Sequence, residues 1–149
     1  MIELNYASAE HLPLFHAMEQ DADTSPYILP TTLEQHRQTF DRDDIIYLSI
    51  DDNGKLAGYF ILALDADGSS IELRRIVIAS KGQGTGQAAL RAVETWCLEK
   101  PGRRRVWLDV FDFNARGRHV YSSLGYRLFD QRDCEGKKLL FYEKYLDSK

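Results

Sequence analysis

The chain has 149 residues, 44% of them hydrophobic and 28% charged, with a formal net charge of −4. That length suits one domain with a buried core, and no apolar run approaches the roughly 20 residues of a membrane span. The negative balance argues against nucleic acid as the main partner, because that binding depends on neutralising phosphates; the basic run Arg103-Arg104-Arg105 reads as a solvated turn before a strand.

Met1-Ile2-Glu3-Leu4 carries neither the basic region nor the apolar stretch of a secretory signal. Cys97 and Cys134 form no C-x-x-C pair and are too few to staple a small secreted fold. A reducing cytoplasm is the expected compartment. His11, His16, His36 and His119 lack metal-ligand spacing, so no metal is expected.

Ile2 to Tyr6 alternates as a short strand. Ser8 is placed to cap a helix carrying Leu12, Phe15 and Met18 on one side. Residues 21–30 contain two prolines and read as a loop. Thr31-x-x-Glu34 has the form of a capping box, so a second helix is expected from about residue 32 to 40. Ile45 to Ile50 is a strand, Asp52-Asn53-Gly54-Lys55 a hairpin turn, and Leu56 to Leu64 the returning strand. After the turn at 65–69 comes a third strand from Ile71. These three strands make an antiparallel meander.

The stretch Ile71 to Leu90 then changes character. A β-branched strand runs into Gly82, Gly84 and Gly86, and a helix follows with Leu90, Val93, Trp96 and Cys97 at helical spacing. Strand, glycine turn and helix N-terminus together favour an anion, because loop N–H groups and the helix dipole point at it. Lys100-Pro101-Gly102 ends the helix, and Arg105 to Phe111 is the next strand, implying a right-handed crossover and a parallel pair. Asn114 caps a short helix bearing Val120, Tyr121 and Leu124, closed by Gly125. Residues 126–131 and 138–145 form a final hairpin. The fold class is α/β, a mixed sheet with about four helices, in a single domain over residues 1–149.

The glycine loop admits several guests. No lysine follows Gly86 as a P-loop requires. Gly84, Gly86 and Ala89 match a dinucleotide fingerprint, with Asp109 as the acid for the ribose, but the antiparallel strands ahead of it do not suit that fold. A glycine turn with no ligand is the third alternative.

Two motifs in order decide what the chain resembles. Lys81-Gly82-Gln83-Gly84-Thr85-Gly86 stands where the GNAT superfamily of acyl-CoA-dependent N-acyltransferases has [QR]-x-x-G-x-[GA], with lysine replacing glutamine or arginine. Asn114-Ala115 through Tyr121 to Gly125-Tyr126 resembles that family's N-x-x-A-x-x-[LV]-Y-x-x-x-G-[FY] segment, with Gly117 where alanine is usual. The resemblance implies a GNAT-like fold and acetyl-CoA as cosubstrate, held where the Ile71 and Arg105 strands splay apart. It implies that Ile76, Val77 and Ile78 meet the pantetheine arm and that Gln83, Gly84, Thr85, Gly86 and Gln87 surround the pyrophosphate. Lys81 adds charge there, and Asn114 contacts the arm or serves only as a helix cap.

Under this resemblance, Tyr121 protonates the departing thiolate, its alternative being a core aromatic. Glu72 is the candidate base, its alternative an exposed strand acid paired with a neighbouring arginine. Asp109 is a weaker candidate, on a face with Trp107 and Phe111 expected to lie under a helix. The acceptor is read as an amine, of a small molecule or a peptide, met by Glu19, Asp21, Asp23, Tyr27 and Glu72, the alternative for this region being a solvated acidic loop. A non-catalytic acyl-CoA-binding module and a nicotinamide-dependent oxidoreductase are the other readings, and a homodimer is compatible with the family.

Overall fold

A computed structural model describes residues 1–22, 24–79 and 84–147. One seven-stranded mixed sheet carries the chain: β1 (Ile2–Tyr6), β2 (Ile45–Asp52), β3 (Lys55–Leu64), β4 (Ser70–Ile78), β5 (Arg105–Phe111), β6 (Arg127–Cys134) and β7 (Lys137–Tyr145). The spatial order is β1-β2-β3-β4-β5-β7-β6, so the last strand inserts between β5 and β6. Only β4 and β5 run parallel, joined by the α3 crossover (Thr85–Glu99). The meander, the crossover and the terminal hairpin thus stand as the sequence indicated.

Two of the four helices begin later than the sequence suggested. Pro13 sits in the first turn of α1 (Leu12–Glu19), where its missing N–H costs nothing, and Ser8 instead opens a single 3-10 turn at Ala9–His11. The capping box of α2 (Leu33–Phe40) uses Thr32 and Gln35, not Thr31 and Glu34: Gln35 N–H donates to Thr32 Oγ1 at 3.1 Å, and Thr32 N–H to Gln35 Oε1 at 2.8 Å. Thr31 is engaged elsewhere, its Oγ1 accepting from Arg75.

The sheet separates two cores. On one face α3 and α4 (Ala115–Ser123) pack Leu90, Val93, Trp96, Cys97 and Tyr121 against Leu48, Phe60, Leu73, Val106 and Leu108. On the other, Leu12 and Phe15 of α1 cover Tyr47, Tyr59, Ile61 and Val77. That second cluster draws only on β2, β3 and β4 among the strands, so this face of β5 has no helix over it.

A bulge in β4 sets what each face receives. Leu62 pairs with Leu73 and Ile61 with Arg75, leaving Arg74 as the extra residue. One added residue reverses the alternation of side chains. Leu73 therefore shares a core with Ile76 and Ile78, while Arg75 and Val77 join Glu72 on the α1–α2 face.

Candidate active site

The parallel ladder between β4 and β5 is short. It pairs Ser70 with Arg105, Ile71 with Val106 and Glu72 with Trp107. Beyond that rung β4 continues from Leu73 to Ile78 and β5 from Leu108 to Phe111 with no further pairing between these two strands among the described residues. Strands that diverge leave main-chain N–H and C=O groups facing the gap, and such groups need a partner. A cleft of about 1170 Å³ runs through the gap, lined by residues from both faces of the sheet, Leu73, Leu90 and Val110 from one and Glu72, Arg75 and Phe111 from the other.

Most of the residues that the sequence singled out for this site meet here. Glu72, Ile76, Val77, Ile78, Gly84, Thr85, Gly86, Gln87, Asn114 and Tyr121 all line the cleft. Lys81, Gln83 and Asp23 lie outside the described residues.

Gly84 is the N-cap of α3 at φ +73°, a left-handed conformation that glycine adopts without steric cost. The first intrahelical bond runs from Ala88 N–H to Gly84 O at 3.1 Å. The N–H groups of Thr85, Gly86 and Gln87 precede it, and a helix start leaves such groups free for an anion.

Asn114 does more than the sequence allowed it. Its Oδ1 accepts from Gly117 N–H at 2.9 Å as the cap of α4, while the side chain also lines the cleft. A methyl group on Gly117 would lie 2.8 Å from Asn114 Nδ2, so the glycine in the usual alanine position makes room for this side-chain pose.

Tyr121 is 8% exposed and packs edge-on to Tyr126, ring centroids 6.0 Å apart. Burial, reinforced by the charge of Asp109, pushes its phenol up to about 12, so it stays protonated at neutral pH. No described residue hydrogen-bonds its hydroxyl, which leaves that proton for a guest in the cleft. The core reading and the catalytic reading of this tyrosine are therefore compatible.

Glu72 is paired with a neighbouring arginine, as its second reading had it, but it is not exposed. Arg74 reaches it from Nε and Nη2 at 3.3 and 3.2 Å, yet its side chain is largely shielded and lines the cleft. Burial raises its carboxyl above the usual range; Arg74 opposes this, and the charges of Asp109 and Asp65 add to it.

Asp109 is where sequence reasoning fell short. The helix expected over Trp107, Asp109 and Phe111 does not cover them. Trp107 instead donates Nε1–H to Asp65 at 2.6 Å, and Asp109 opens into the cleft with no hydrogen bond or ion pair among the described residues. Desolvation by the cleft walls raises its carboxyl, against the pull of Arg74 and Arg75. Its charge acts on both Glu72 and Tyr121, which puts all three in one neighbourhood. The signal was present in the alternation of β5, since Asp109 faces away from Val106, Leu108 and Val110.

The acceptor acids divide. Glu19 is 3% exposed and bonded to His36, Tyr59 and Arg75, so it does not line the cleft. Asp21 is exposed and also absent from the lining, whereas Tyr27 belongs to it. Cys134 ends β6 half-buried at the cleft wall; Cys97 is a buried core thiol raised to about 12 by burial and then by Glu94.

The family model for the acetyltransferase (GNAT) family matches residues 12–126. The chain belongs to the GNAT family. A streptothricin acetyltransferase of Streptomyces lavendulae is 26% identical over 88 residues, covering 58% of this chain and 46% of that protein. The chain thus matches about half the length of that relative. Solved GNAT-like structures agree in fold. The ribosomal-protein-S18-alanine N-acetyltransferase of Escherichia coli superposes with a TM-score of 0.80 at 22% identity, over 100% of this chain and 96% of its own. An aminoglycoside acetyltransferase solved with coenzyme A superposes with a TM-score of 0.83 at 13% identity, over 97% and 95%. At such identities the likeness speaks for the fold alone. No described helix of this GNAT chain is long and apolar enough to cross a membrane.

Proposed function

We propose that this chain transfers an acetyl group from acetyl-CoA to a primary amine by direct attack. The observation that carries the reading is the interrupted β4–β5 ladder, with Glu72 on its last rung and Tyr121 lining the same cleft. Ile76, Val77 and Ile78, paired with β3 on one side and with no rung to β5 on the other, border the gap in which an amide-bearing arm can lie along β4. The first-turn N–H groups of α3 suit the pyrophosphate, with Asn114 adding its side chain; Lys81 and Gln83, outside the described residues, are proposed as further contacts on the sequence resemblance alone.

In the reaction the neutral amine nitrogen attacks the thioester carbonyl carbon and a C–N bond forms. The carboxylate of Glu72, directly or through a water, takes the proton the nitrogen must lose. The C–S bond then breaks, and the Tyr121 phenol gives its proton to the departing thiolate. Asp109, with no hydrogen bond or ion pair among the described residues, attracts the protonated form of the amine, which gives one proton to solvent before it attacks. The named relatives act on streptothricin, an aminoglycoside and a ribosomal-protein alanine, and an amine is what these acceptors share.

The test is release of the CoA thiol from acetyl-CoA across a panel of amines and peptides, joined to thermal shifts with acetyl-CoA and with NAD. Amine-dependent release and stabilisation by acetyl-CoA are expected. Stabilisation without release from any amine would leave a binding module, and stabilisation by NAD alone would overturn the reading.

A further inference from the structure

The cleft has a wall that neither motif explains. Residues 24–32 pass over it, carrying Tyr27, Ile28, Leu29, Pro30 and Thr31 into the lining. This segment holds one short 3-10 turn, Ser25–Tyr27, and its side chains are mostly exposed. Such a segment would ordinarily be among the least protected parts of a fold.

Arg75 is the exception to that expectation. Its Nη1 donates to Thr31 Oγ1 at 3.0 Å and its Nη2 to the Leu29 carbonyl at 2.9 Å. The same Nη1 lies 2.9 Å from Glu19 Oε2. Glu19 is fixed in turn by the Tyr59 hydroxyl of β3 and by His36 of α2, whose Nε2 lies 3.1 and 2.9 Å from its two oxygens. The His36 Nδ1 meets the Tyr47 hydroxyl of β2 at 2.7 Å. Glu19 and His36 are 3% and 1% exposed. Although burial pulls the other way, bonds from His36 and Tyr59 and the charge of Arg75 hold the Glu19 carboxyl below its usual range. The far end of the segment is held separately, by Tyr27 stacked on Phe113 of the β5–α4 turn at 5.9 Å.

We infer that Arg75 is a positioning residue for the acceptor, pinning the 24–32 segment as a preformed wall of the cleft through the buried Glu19. The bulge at Arg74 is what makes this possible, since it turns Arg75 toward Glu19 and away from the α3 core. A planar guanidinium can serve Glu19, Thr31 and Leu29 together; an ammonium in its place can satisfy the charge but not the fork. The acceptor side of the cleft is therefore set before any amine arrives, which favours acceptors that fit a fixed opening. The inference rests on the acetyl-transfer reading for its kinetic consequence, but not for its structural one.

The test compares Arg75→Lys, Thr31→Val and the double variant Glu19→Gln/Arg75→Met with the wild type. Backbone amide exchange is followed over 24–32 and, as an internal reference, over β3. Kinetics use spermidine, kanamycin and an alanine-initiated peptide as probes, with acetyl-CoA affinity measured separately. Arg75→Lys should keep a melting temperature near that of the wild type while exchange in 24–32 accelerates by about tenfold. The KM of whichever probe is turned over should rise, with kcat and acetyl-CoA affinity little changed. Thr31→Val should move the same readouts less, because it removes one bond and leaves the Glu19 pair intact. The double variant leaves no unpaired buried charge and should free the segment most. Unchanged exchange in 24–32 in all three variants, or equal acceleration in β3, would overturn the inference. Absence of acetyl-CoA binding in the wild type would instead sink the acetyl-transfer reading, with the exchange result still deciding the role of Arg75.

Discussion

The two sides of the cleft are built by different means. The side reached from the glycine loop is made largely of backbone: the stretch of β4 beyond its last rung to β5, the left-handed Gly84 and the first turn of α3. The side under residues 24–32 is held by side chains, Arg75 at the cleft and Glu19, His36, Tyr59 and Tyr47 buried behind it, drawn from five different elements. A backbone site recognises what all amides and phosphates share. A side-chain site depends on its particular residues and can differ between chains of one fold. The difference suits a reaction in which one cosubstrate is fixed and the other varies.

The largest expected effect comes at the junction of the two sides. Tyr121→Phe keeps the buried ring and removes the phenolic proton proposed for the thiolate; turnover should fall by about 100-fold or more, with acetyl-CoA affinity nearly intact. A parallel loss of affinity would place Tyr121 with the backbone side as a packing residue, and an unchanged rate would remove it from the reaction.

Glu72→Gln sharpens the comparison through pH. The base must be ionised, and burial with the charges of Asp109 and Asp65 raises its carboxyl, so wild-type kcat/KM should begin to fall at a pH above the ordinary carboxylate range as the solution is acidified. The variant should be slower by about tenfold or more at neutral pH and should lack that acidic limb. If the limb persists unchanged, Asp109 is the titrating group.

The smallest effect belongs to Gly117→Ala. The new methyl would meet Asn114 Nδ2 at 2.8 Å and displace the cap of α4, costing about 1 kcal/mol of stability. Because Asn114 also lines the cleft, acetyl-CoA affinity should weaken by a few-fold while the KM of the amine stays level. A change confined to the melting temperature would make Asn114 a cap and nothing more.

What could be read from the chain follows the same division. The glycines at 84 and 86, the Asn114–Tyr126 spacing and the strand alternation are local patterns; alternation and turns were enough for the meander and the crossover, while the splay of β4 and β5 was implied only by the family resemblance that the two motifs carry. Glu19 looked like one acid among several near a loop, because its partners lie 17, 40 and 56 positions away. The bulge at Arg74 reverses side-chain parity with no glycine or proline to announce it, so the inward turn of Arg75 had no local signal. Thr31 was misread as a cap for the same reason: its hydroxyl is claimed by a residue far along the chain. Asp109 was legible by alternation and was discounted only by assigning it a covering helix that packs elsewhere.

Amide exchange with and without acetyl-CoA, in the absence of any amine, tests the central claim most directly. If the backbone side of the cleft takes the cosubstrate, added protection should concentrate at Leu73–Ile78 and at the start of α3, with residues 24–32 unaltered. Protection confined to 24–32, or none at β4, would contradict it.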